Sequence, residues 1–242
     1  MKNYLSAFLM IKNENRYIRE WIAFHRTQGF TKFFIYDNGS TIPISDTLSN
    51  EVAEGLVDIT IWNDTKTGRH VRAMNHCLNR NDVNSTWLSL IDVDEFIYGI
   101  KNKFIDVIKA NSKFDVIKVK WKGFGASGHD EIPEGLVIEE YQMCGDFKDL
   151  PGGKSTVNVK KIKAMRDPHN ANKGSLLLNY NEACINHYVT RSKEDWSEKC
   201  KRGGGNGRPR NIKTFNKIQT NLNKYNDTFI LKYLNETKQM LE

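Results

Sequence analysis

Three carboxylates stand within four positions where an apolar segment ends. The stretch WLSLIDVDEFIY, residues 87–98, begins as a buried strand, sets down Asp92, Asp94 and Glu95, and then returns to apolar residues. Residues two apart in an extended chain point the same way, so the side chains of Asp92 and Asp94 can converge. Converging carboxylates repel unless a cation lies between them, and Mg²⁺ or Mn²⁺ suits oxygen ligands. The pair therefore predicts a metal-bridged phosphate site, with a solvated acidic turn as the alternative.

Polar residues elsewhere could complete such a site. Asp37 and Asn38 end another apolar segment and could hydrogen-bond a base or ribose, although an Asn-Gly pair is equally a simple turn. The segment RHVRAMNHCLNR offers Arg69 and Asn75 to the same crevice. His187 could close the coordination shell of the metal, although a lone histidine on a strand is more often structural.

A basic, glycine-rich segment, KCKRGGGNGRPR, covers residues 199–210 and is predicted to be a flexible loop. Mobile cations can cover a diphosphate and stabilise it as a leaving group. A disordered basic loop without function is the alternative. The cations concerned are Lys199, Lys201, Arg202, Arg208 and Arg210.

Strands alternate with helices over the first hundred residues, which predicts βαβ units and a mostly parallel sheet. In such a sheet, ligands bind outside the carboxyl ends of the strands, where Asp37 and Asp92 stand. We expect strands at residues 4–11, 32–37, 57–62 and 87–91, a helix capped by Asn13 that ends at Gly29, and a second helix at residues 67–80.

The second half of the chain predicts an antiparallel or mixed extension of this sheet. Strands are expected at residues 114–122, 135–142 and 183–189, and two helical segments after Arg210, the first with Phe215, Ile218, Leu222 and Tyr225 on one face. The fold class is thus α/β, a mixed sheet flanked by helices. The expected domains are residues 1–205, divided into two halves at residue 100, and a helical extension at residues 206–242.

The composition is that of a globular protein with an excess of positive charge. The 242 residues are 39% hydrophobic, the formal net charge is +7 and the pI about 9.1. No apolar run approaches the ~18 residues of a membrane span, and we expect the start to be a strand rather than a signal peptide. Four scattered cysteines argue against a zinc site and predict a cytoplasmic protein. The charge suits a polyanion, an anionic membrane face or a phosphorylated substrate.

Several motifs in order resemble glycosyltransferase family 92, which is related to family 2. The first half supplies MIKNENRYIREWIAFHRTQGFTKFFIYDNGST, with its KNE and YDNGS elements, followed by LIDVDEF. The second half adds FGASGH, PEGLVIEEY, GKS and INHYVTRSKEDW. The resemblance covers about residues 4–204, and the helices after Arg210 are expected to lie outside it. It implies that residues 1–100 are the nucleotide-sugar-binding half and residues 101–205 the acceptor half.

The resemblance implies a GT-A fold, a nucleotide-diphospho-sugar donor (often a UDP-sugar), a divalent cofactor, Mn²⁺ or Mg²⁺, and inversion at the anomeric carbon. Asp37 would contact the base, Asp92 the ribose or the metal, and Asp94 the metal and diphosphate. His187 would be a metal ligand. Substrate-binding roles are also expected for Asn13, Glu14, Asn38, Arg69, Asn75, Lys154 and Arg202.

Inversion needs a general base that deprotonates the acceptor hydroxyl. Spacing does not identify this base, and Asp130, Glu131, Glu194 and Asp195 all follow motifs of the second half. Asp130 is the preferred candidate. The expected acceptor is a glycan or a lipid-linked saccharide, the latter presented at the inner face of the membrane, where a basic protein can make peripheral contact with anionic lipid.

Two other functions remain open. The basic residues at 160–166 would suit a nucleic-acid-binding protein, but no helix-turn-helix, zinc or RNP pattern is present, so we expect no nucleic-acid partner. A nucleotidyltransferase would have the same type of sheet and the same metal-bridged phosphate site. It would need a glycine-rich basic loop after the first strand, where this chain has KNEN.

Overall fold

Strands and helices alternate in the structure, a computed structural model that describes residues 3–80, 82–169, 174–204 and 209–242. The strands are β1 (Asn3–Ile11), β2 (Lys32–Asp37), β3 (Val57–Ile61), β4 (Ser85–Leu90), β5 (Glu95–Gly99), β6 (Val116–Phe124), β7 (Met143–Cys144), β8 (Gly153–Asn158), β9 (Leu176–Leu177), β10 (Ala183–Tyr188) and β11 (Tyr225–Asn226). The helices are α1 (Asn15–Thr27), α2 (Ile44–Thr47), α3 (Ser49–Ala53), α4 (Arg69–Asn79), α5 (Phe104–Ala110), α6 (Val137–Glu140), α7 (Lys193–Arg202), α8 (Phe215–Leu222) and α9 (Leu234–Gln239), with 3-10 helices at Ile212–Thr214 and Phe229–Tyr233.

The first half of the chain forms a parallel sheet in the order β3-β2-β1-β4. Strand β1 lies in the middle, where Phe8 pairs with Phe34 on one side and Leu90 on the other. Parallel strands covered on both faces are continuous apolar runs, and β1 is buried from Leu5 to Leu9. The carboxyl ends of β1, β2 and β4 meet at one edge, as the sequence predicts.

The second half extends this sheet with antiparallel strands. Strand β8 pairs antiparallel with β4, and β6 pairs antiparallel with β8. Strand β10 then runs parallel to β6 and antiparallel to β5, so the chain leaves β4, makes the acidic turn and joins a different part of the sheet. The expected mixed α/β sheet flanked by helices is confirmed.

The predicted strand at residues 135–142 is wrong, because this segment contains the short helix α6 and only then the two-residue strand β7. The carboxylate of Glu20 accepts hydrogen bonds from the backbone N–H groups of Val137 and Ile138. These bonds satisfy the first amides of the helical turn, which would otherwise be unpaired. A short apolar run does not distinguish a strand from a turn of buried helix.

Helix α1 holds the acidic turn from below. The indole Nε1–H of Trp21 donates to the carbonyl oxygens of Asp92 and Glu95, at 3.0 and 2.9 Å. His25, one turn later, donates from Nδ1 to the Trp21 carbonyl and accepts at Nε2 from the Ile97 N–H. The helix begins after residue 14 with no side-chain cap, so the predicted capping by Asn13 is wrong.

The C-terminal helices pack into the same core as the sheet. Ile230 and Tyr233 are buried members of the main hydrophobic cluster, and the Tyr233 hydroxyl donates to the Gly99 carbonyl at 2.9 Å. Helix α8 anchors the FGASGH loop, because Gln219 accepts a hydrogen bond from the Ala126 N–H. The predicted helix is present but ends at Leu222, and the expectation that Tyr225 lies on its apolar face is wrong, because Tyr225 is exposed in strand β11. None of the helices in the described ranges is long and apolar enough to cross a membrane.

We expect Tyr233→Ala to destabilise the whole sheet rather than a C-terminal segment alone. Truncating a buried aromatic side chain removes about 3 kcal/mol from the free energy of unfolding. Urea unfolding followed by circular dichroism should show one transition, moved to lower denaturant. Lys238→Ala, on the exposed side of α9, is the control and should unfold like the wild type. Two separate transitions in the wild type would contradict a shared core.

We expect His25→Leu to lower the free energy of unfolding by about 2 kcal/mol, because the buried N–H of Ile97 loses its acceptor. Urea unfolding at pH 7 measures the change. His25→Gln, which keeps an acceptor on a side chain of similar length, should recover part of the loss. Equal stability of His25→Leu and wild type would contradict this role.

The same histidine predicts a pH dependence of stability. Burial lowers the pKa of His25 from 6.5 to about 3. The unfolded chain therefore binds a proton that the folded chain refuses, and stability is lost progressively as pH falls from 6.5 towards 3. Unfolding curves across this range should show a smaller loss in His25→Gln than in wild type.

Candidate active site

A cavity of about 630 Å³ opens at the edge where the parallel strands end. Its floor is the acidic turn between β4 and β5. Its walls come from the end of β1, the start of α4, the 166–169 segment and the end of α7. The residues predicted from the sequence that line it are Glu14, Asn38, Arg69, Asp92, Asp94, His187, Lys199, Arg202 and Arg210.

Asp92 is bound by a lysine from the neighbouring antiparallel strand. In the β4–β8 register Ser89 pairs with Thr156, and two residues further along Lys154 reaches the acidic turn. Its Nζ lies 2.6 Å from Asp92 Oδ2 and 3.4 Å from Glu95 Oε2. Burial alone would raise the pKa of Asp92, but the ammonium of Lys154 outweighs it and the pKa is lowered. Lys154, predicted to bind substrate, lies instead beneath the floor.

Asp94 is bound by a second lysine. Lys199 Nζ lies 2.8 Å from Asp94 Oδ2 and also donates to the Val189 carbonyl at 2.9 Å. Burial opposes ionisation of Asp94, yet Lys199 holds its pKa well below the usual value. Lys199 is itself buried on helix α7, so the prediction of a mobile loop is wrong from residue 199 to residue 202. Arg208 lies outside the described residues.

Glu95 and His187 face each other at the acidic turn. They are paired residues of strands β5 and β10. His187 Nδ1 lies 3.9 Å from Glu95 Oε1, and neither atom has a hydrogen-bond partner among the described residues. Burial raises the pKa of Glu95 to about 7. The other ring nitrogen of the histidine, Nε2, lies 3.8 Å from Asp94 Oδ1.

These atoms fit a divalent cation in part. Asp94 Oδ1 and His187 Nε2 face each other at the cavity, and an oxygen and an imidazole nitrogen are ordinary metal donors. Asp92 differs, because Lys154 occupies Oδ2 and His70 Nε2 lies 3.5 Å from Oδ1. Within the described ranges no three His, Cys, Asp or Glu side chains are grouped to hold a metal. The expected set of three is therefore reduced to two open donors.

Arginines bind the KNE segment to helix α7 and to the residues just before it. Glu14 accepts from Arg191 Nη1 at 2.8 Å and from Arg202 Nη2 at 2.5 Å. Burial opposes ionisation of Glu14, but Arg191 and Arg202 lower its pKa. Arg202 also donates to the carbonyl of Asn13. Both Glu14 and Arg202 line the cavity, and their predicted contacts with substrate stay predictions.

The YDNGS turn shapes the edge of the cavity with buried hydrogen bonds. Asp37 accepts from the N–H groups of Ser40 and Ile44, and Asn13 accepts from the Thr41 N–H. Neither Asp37 nor Asn13 lines the cavity. Asn38 does, and it donates to the Trp62 carbonyl at 2.6 Å. The predicted contact of Asp37 with a base therefore has no direct geometric support.

The remaining wall is built by helix α4 and the segment it anchors. Arg69 lines the cavity and donates to the Gly204 carbonyl at 3.1 Å. Asn75 lies outside the lining, but it exchanges two hydrogen bonds with the backbone of Met165, at 2.9 and 3.0 Å. Asn75 thereby positions the 166–169 segment, which contributes Asp167 and His169 to the wall.

The preferred general base is not at the cavity. The Asp130 side chain is 80% exposed, lies 3.8 Å from Lys193 and is absent from the lining. The alternatives are placed no better, because Glu194 accepts from the Ile132 N–H and Asp195 from the Tyr17 hydroxyl, away from the cavity. Residue spacing along a loop did not indicate which side of the sheet the loop would face.

Other residues of the site were missed by sequence reasoning. His70, Trp121 and His169 line the cavity, and nothing in their local sequence distinguishes them from structural residues. The helical position of Lys199, a residue that was predicted on a loop, did have a signal: Ser192 accepts a hydrogen bond from the Asp195 N–H and caps α7. The pattern Ser-x-x-Asp marks a helix start, which would have placed Lys199 on a helix rather than a loop.

Proteins of plants resemble part of the chain. A glycosyltransferase family 92 protein of Oryza sativa subsp. japonica is 31% identical over 138 residues, 54% of this chain and 23% of its own length. One of Ricinus communis is 28% identical over 193 residues, 71% of this chain and 34% of its own length. The chain thus spans about a quarter to a third of the length of these relatives.

A solved structure, that of TarS from S. aureus, overlaps 98% of this chain and 71% of its own chain, with 12% identity and a TM-score of 0.46. A likeness of this size carries no argument about activity. The model of glycosyltransferase family 92 matches residues 9–240. The match includes the C-terminal helices, so the expectation that the resemblance stops near residue 204 is wrong. The chain belongs to glycosyltransferase family 92.

Proposed function

We propose that this chain transfers a sugar from a nucleotide-diphospho-sugar, with a UDP-sugar as the first choice, to a hydroxyl of a saccharide acceptor, with inversion. The observation that carries the proposal is the acidic turn at the strand ends, which forms the floor of the cavity in a chain of this family. Family membership favours sugar transfer over nucleotidyl transfer.

The charges around the cavity suit a diphosphate. The floor carboxylates are balanced by buried lysines, so their charge does not repel an anion as two free carboxylates would. Cationic side chains surround the opening, and guanidinium groups bind phosphate oxygens with strong charge-assisted hydrogen bonds. These side chains are Lys12, Arg69, Arg166, Arg202 and Arg210.

Asp94 and His187 would hold the divalent cofactor, Mn²⁺ or Mg²⁺. Such ions take one or two carboxylates from the protein and complete their shell with substrate phosphates and water. When bound, the ion would offset the negative charge that builds up on the departing diphosphate. Asp92, which Lys154 holds at the edge of the floor, would then face the ribose rather than the metal.

The acceptor, a glycan or a lipid-linked saccharide, is part of the proposal, as are a cytoplasmic site of action and peripheral contact with the inner face of the membrane. The net charge of +7 supports the last step, because anionic lipid attracts basic proteins.

A binding panel tests the donor class. UDP-, GDP- and dTDP-sugars are offered with Mn²⁺ and with EDTA, and binding is read by thermal shift and calorimetry. We expect one nucleotide class to bind and the affinity to fall in EDTA. Consumption of a nucleoside triphosphate with a sugar phosphate, without turnover of any nucleotide-sugar, would favour a nucleotidyltransferase instead.

We expect Asp94→Asn to lower donor turnover about 100-fold and to weaken Mn²⁺-dependent binding of the nucleoside diphosphate at least about tenfold, because the metal loses its carboxylate. Calorimetry with and without Mn²⁺, and release of the nucleoside diphosphate, measure the two effects. Asp130→Asn, at an exposed carboxylate outside the cavity, is the control and should retain normal turnover. Metal-dependent binding that survives Asp94→Asn would contradict the proposed ligand.

We expect Arg69→Gln to weaken binding of the nucleoside diphosphate about tenfold, the effect of losing one charge-assisted hydrogen bond. Binding of the uncharged nucleoside should not change, because Arg69 would contact the phosphates alone. Competition calorimetry with both ligands separates these cases. An equal loss for both would mean that the substitution deforms the wall of the cavity.

A further inference from the structure

One imidazole on the cavity wall has a defined tautomer. His169 Nδ1 lies 3.1 Å from the carbonyl oxygen of Gly153. A carbonyl can only accept a hydrogen bond, so Nδ1 carries the proton. Burial and the nearby ammonium of Lys154 lower the pKa of His169, which keeps the ring neutral near pH 7. The lone pair of the neutral ring is therefore on Nε2.

This imidazole is at the cavity and open to it. The His169 side chain is 40% exposed and lines the cavity with Asp94 and His187. The indole of Trp121 lies between the two histidines, with ring centroids 5.1 Å from His169 and 4.9 Å from His187. His169 therefore lies on the same wall as His187, one indole ring away from it.

Carboxylates of the floor and of the KNE segment form ion pairs with cationic side chains. Glu14 binds two arginines, Asp92 binds Lys154 and Asp94 binds Lys199. Glu95 is fully buried. A carboxylate held by an ammonium or guanidinium is a weak base, because the cation stabilises its ionised form. Glu14, Asp92 and Asp94 are therefore suited to bind charge rather than to take a proton. Glu95 has a raised pKa, but its side chain has no exposed surface at which an acceptor could be deprotonated.

The segment that carries His169 is held in place. The Pro168 carbonyl accepts a hydrogen bond from the Ser155 N–H at 3.1 Å. Asp167 Oδ1 accepts from the His169 N–H at 2.6 Å and lies 3.9 Å from His169 Nε2. An adjacent carboxylate stabilises an imidazolium, so Asp167 would support His169 once it has taken a proton.

We propose that His169 is the general base of the transfer reaction, a role that rests on the proposed function. The acceptor O–H bond breaks and its proton goes to His169 Nε2. The acceptor oxygen forms a bond to the anomeric carbon, while the bond from that carbon to the diphosphate oxygen breaks. The nucleoside diphosphate leaves with the electron pair, and the proton on Nε2 returns to solvent.

The test uses His169→Gln and His169→Ala, with water as the acceptor and the nucleotide-sugar that the binding panel selects as the donor. A general base contributes about 10²- to 10⁴-fold, so release of the nucleoside diphosphate should slow by that factor in kcat. Binding of the nucleoside diphosphate with Mn²⁺ should stay within about threefold of wild type. His76→Gln, at a helix histidine outside the cavity lining, is the control and should turn over normally.

Two further readouts separate chemistry from structure. Added imidazole should restore part of the activity of His169→Ala. The wild-type rate should fall at acid pH as His169 takes a proton. The pH–rate profiles of both variants should not show this fall. Charged groups that face His169 are Lys154, Asp167 and Asp92, and the variants leave all three in place.

The outcomes distinguish the two proposals. Loss of turnover in the His169 variants with intact nucleotide binding, together with imidazole rescue, supports the inference. Variants that release the nucleoside diphosphate at the wild-type rate overturn it and leave the proposed function standing. A wild-type chain that binds no nucleotide defeats the proposed function itself. Nitrogen NMR of the imidazole gives an independent result, because a proton found on Nε2 at neutral pH would overturn the assignment of His169 as base.

Discussion

Ion pairs with two buried lysines allow the acidic turn to exist where it does. Lys154 binds Asp92 and Lys199 binds Asp94, so the neighbouring carboxylates each have an internal cation. Without them, desolvation and mutual repulsion would force a carboxylate to take a proton or the turn to open towards solvent. The ion pairs keep the carboxylates of Asp92 and Asp94 ionised at the edge of the sheet. An ionised carboxylate is what a cation or a ribose hydroxyl needs as a partner.

The topology of the second half of the chain places these lysines beside the acidic turn. Lys154 comes from β8, which is antiparallel to β4 and therefore runs past the carboxyl end of that strand. Lys199 comes from α7, which begins only after β10 has crossed beside β5. Helix α1 closes the turn from below through Trp21. An entirely parallel sheet would have placed no strand start beside the acidic turn, so the antiparallel half is part of the site.

The sequence predicted the parts of the site that are governed by local pattern. Apolar runs alternating with helices located β1, β2 and β4, and their carboxyl ends placed Asp92 and Asp94 at one edge. It did not predict that Asn75 would act through Met165, or that His169 would reach the cavity, because both depend on pairing between segments 90 residues apart. The last turn of helix α7 was predicted as a loop, because the glycines at residues 203–205 follow it directly. The capping residue Ser192, which marks the start of the helix, was not recognised.

The lysine pairs also bear on how the site would use a metal. Each carboxylate has one oxygen bound to an ammonium, so a divalent ion at Asp94 and His187 would meet a floor whose charge is already partly offset. Attraction to the protein alone is then modest, and the phosphates of the donor must supply much of the binding. Metal and nucleotide affinity should therefore be coupled, each ligand strengthening the other by the same factor. Such coupling would keep the ion from being held tightly before the proposed donor binds, and it would link release of the ion to release of the diphosphate.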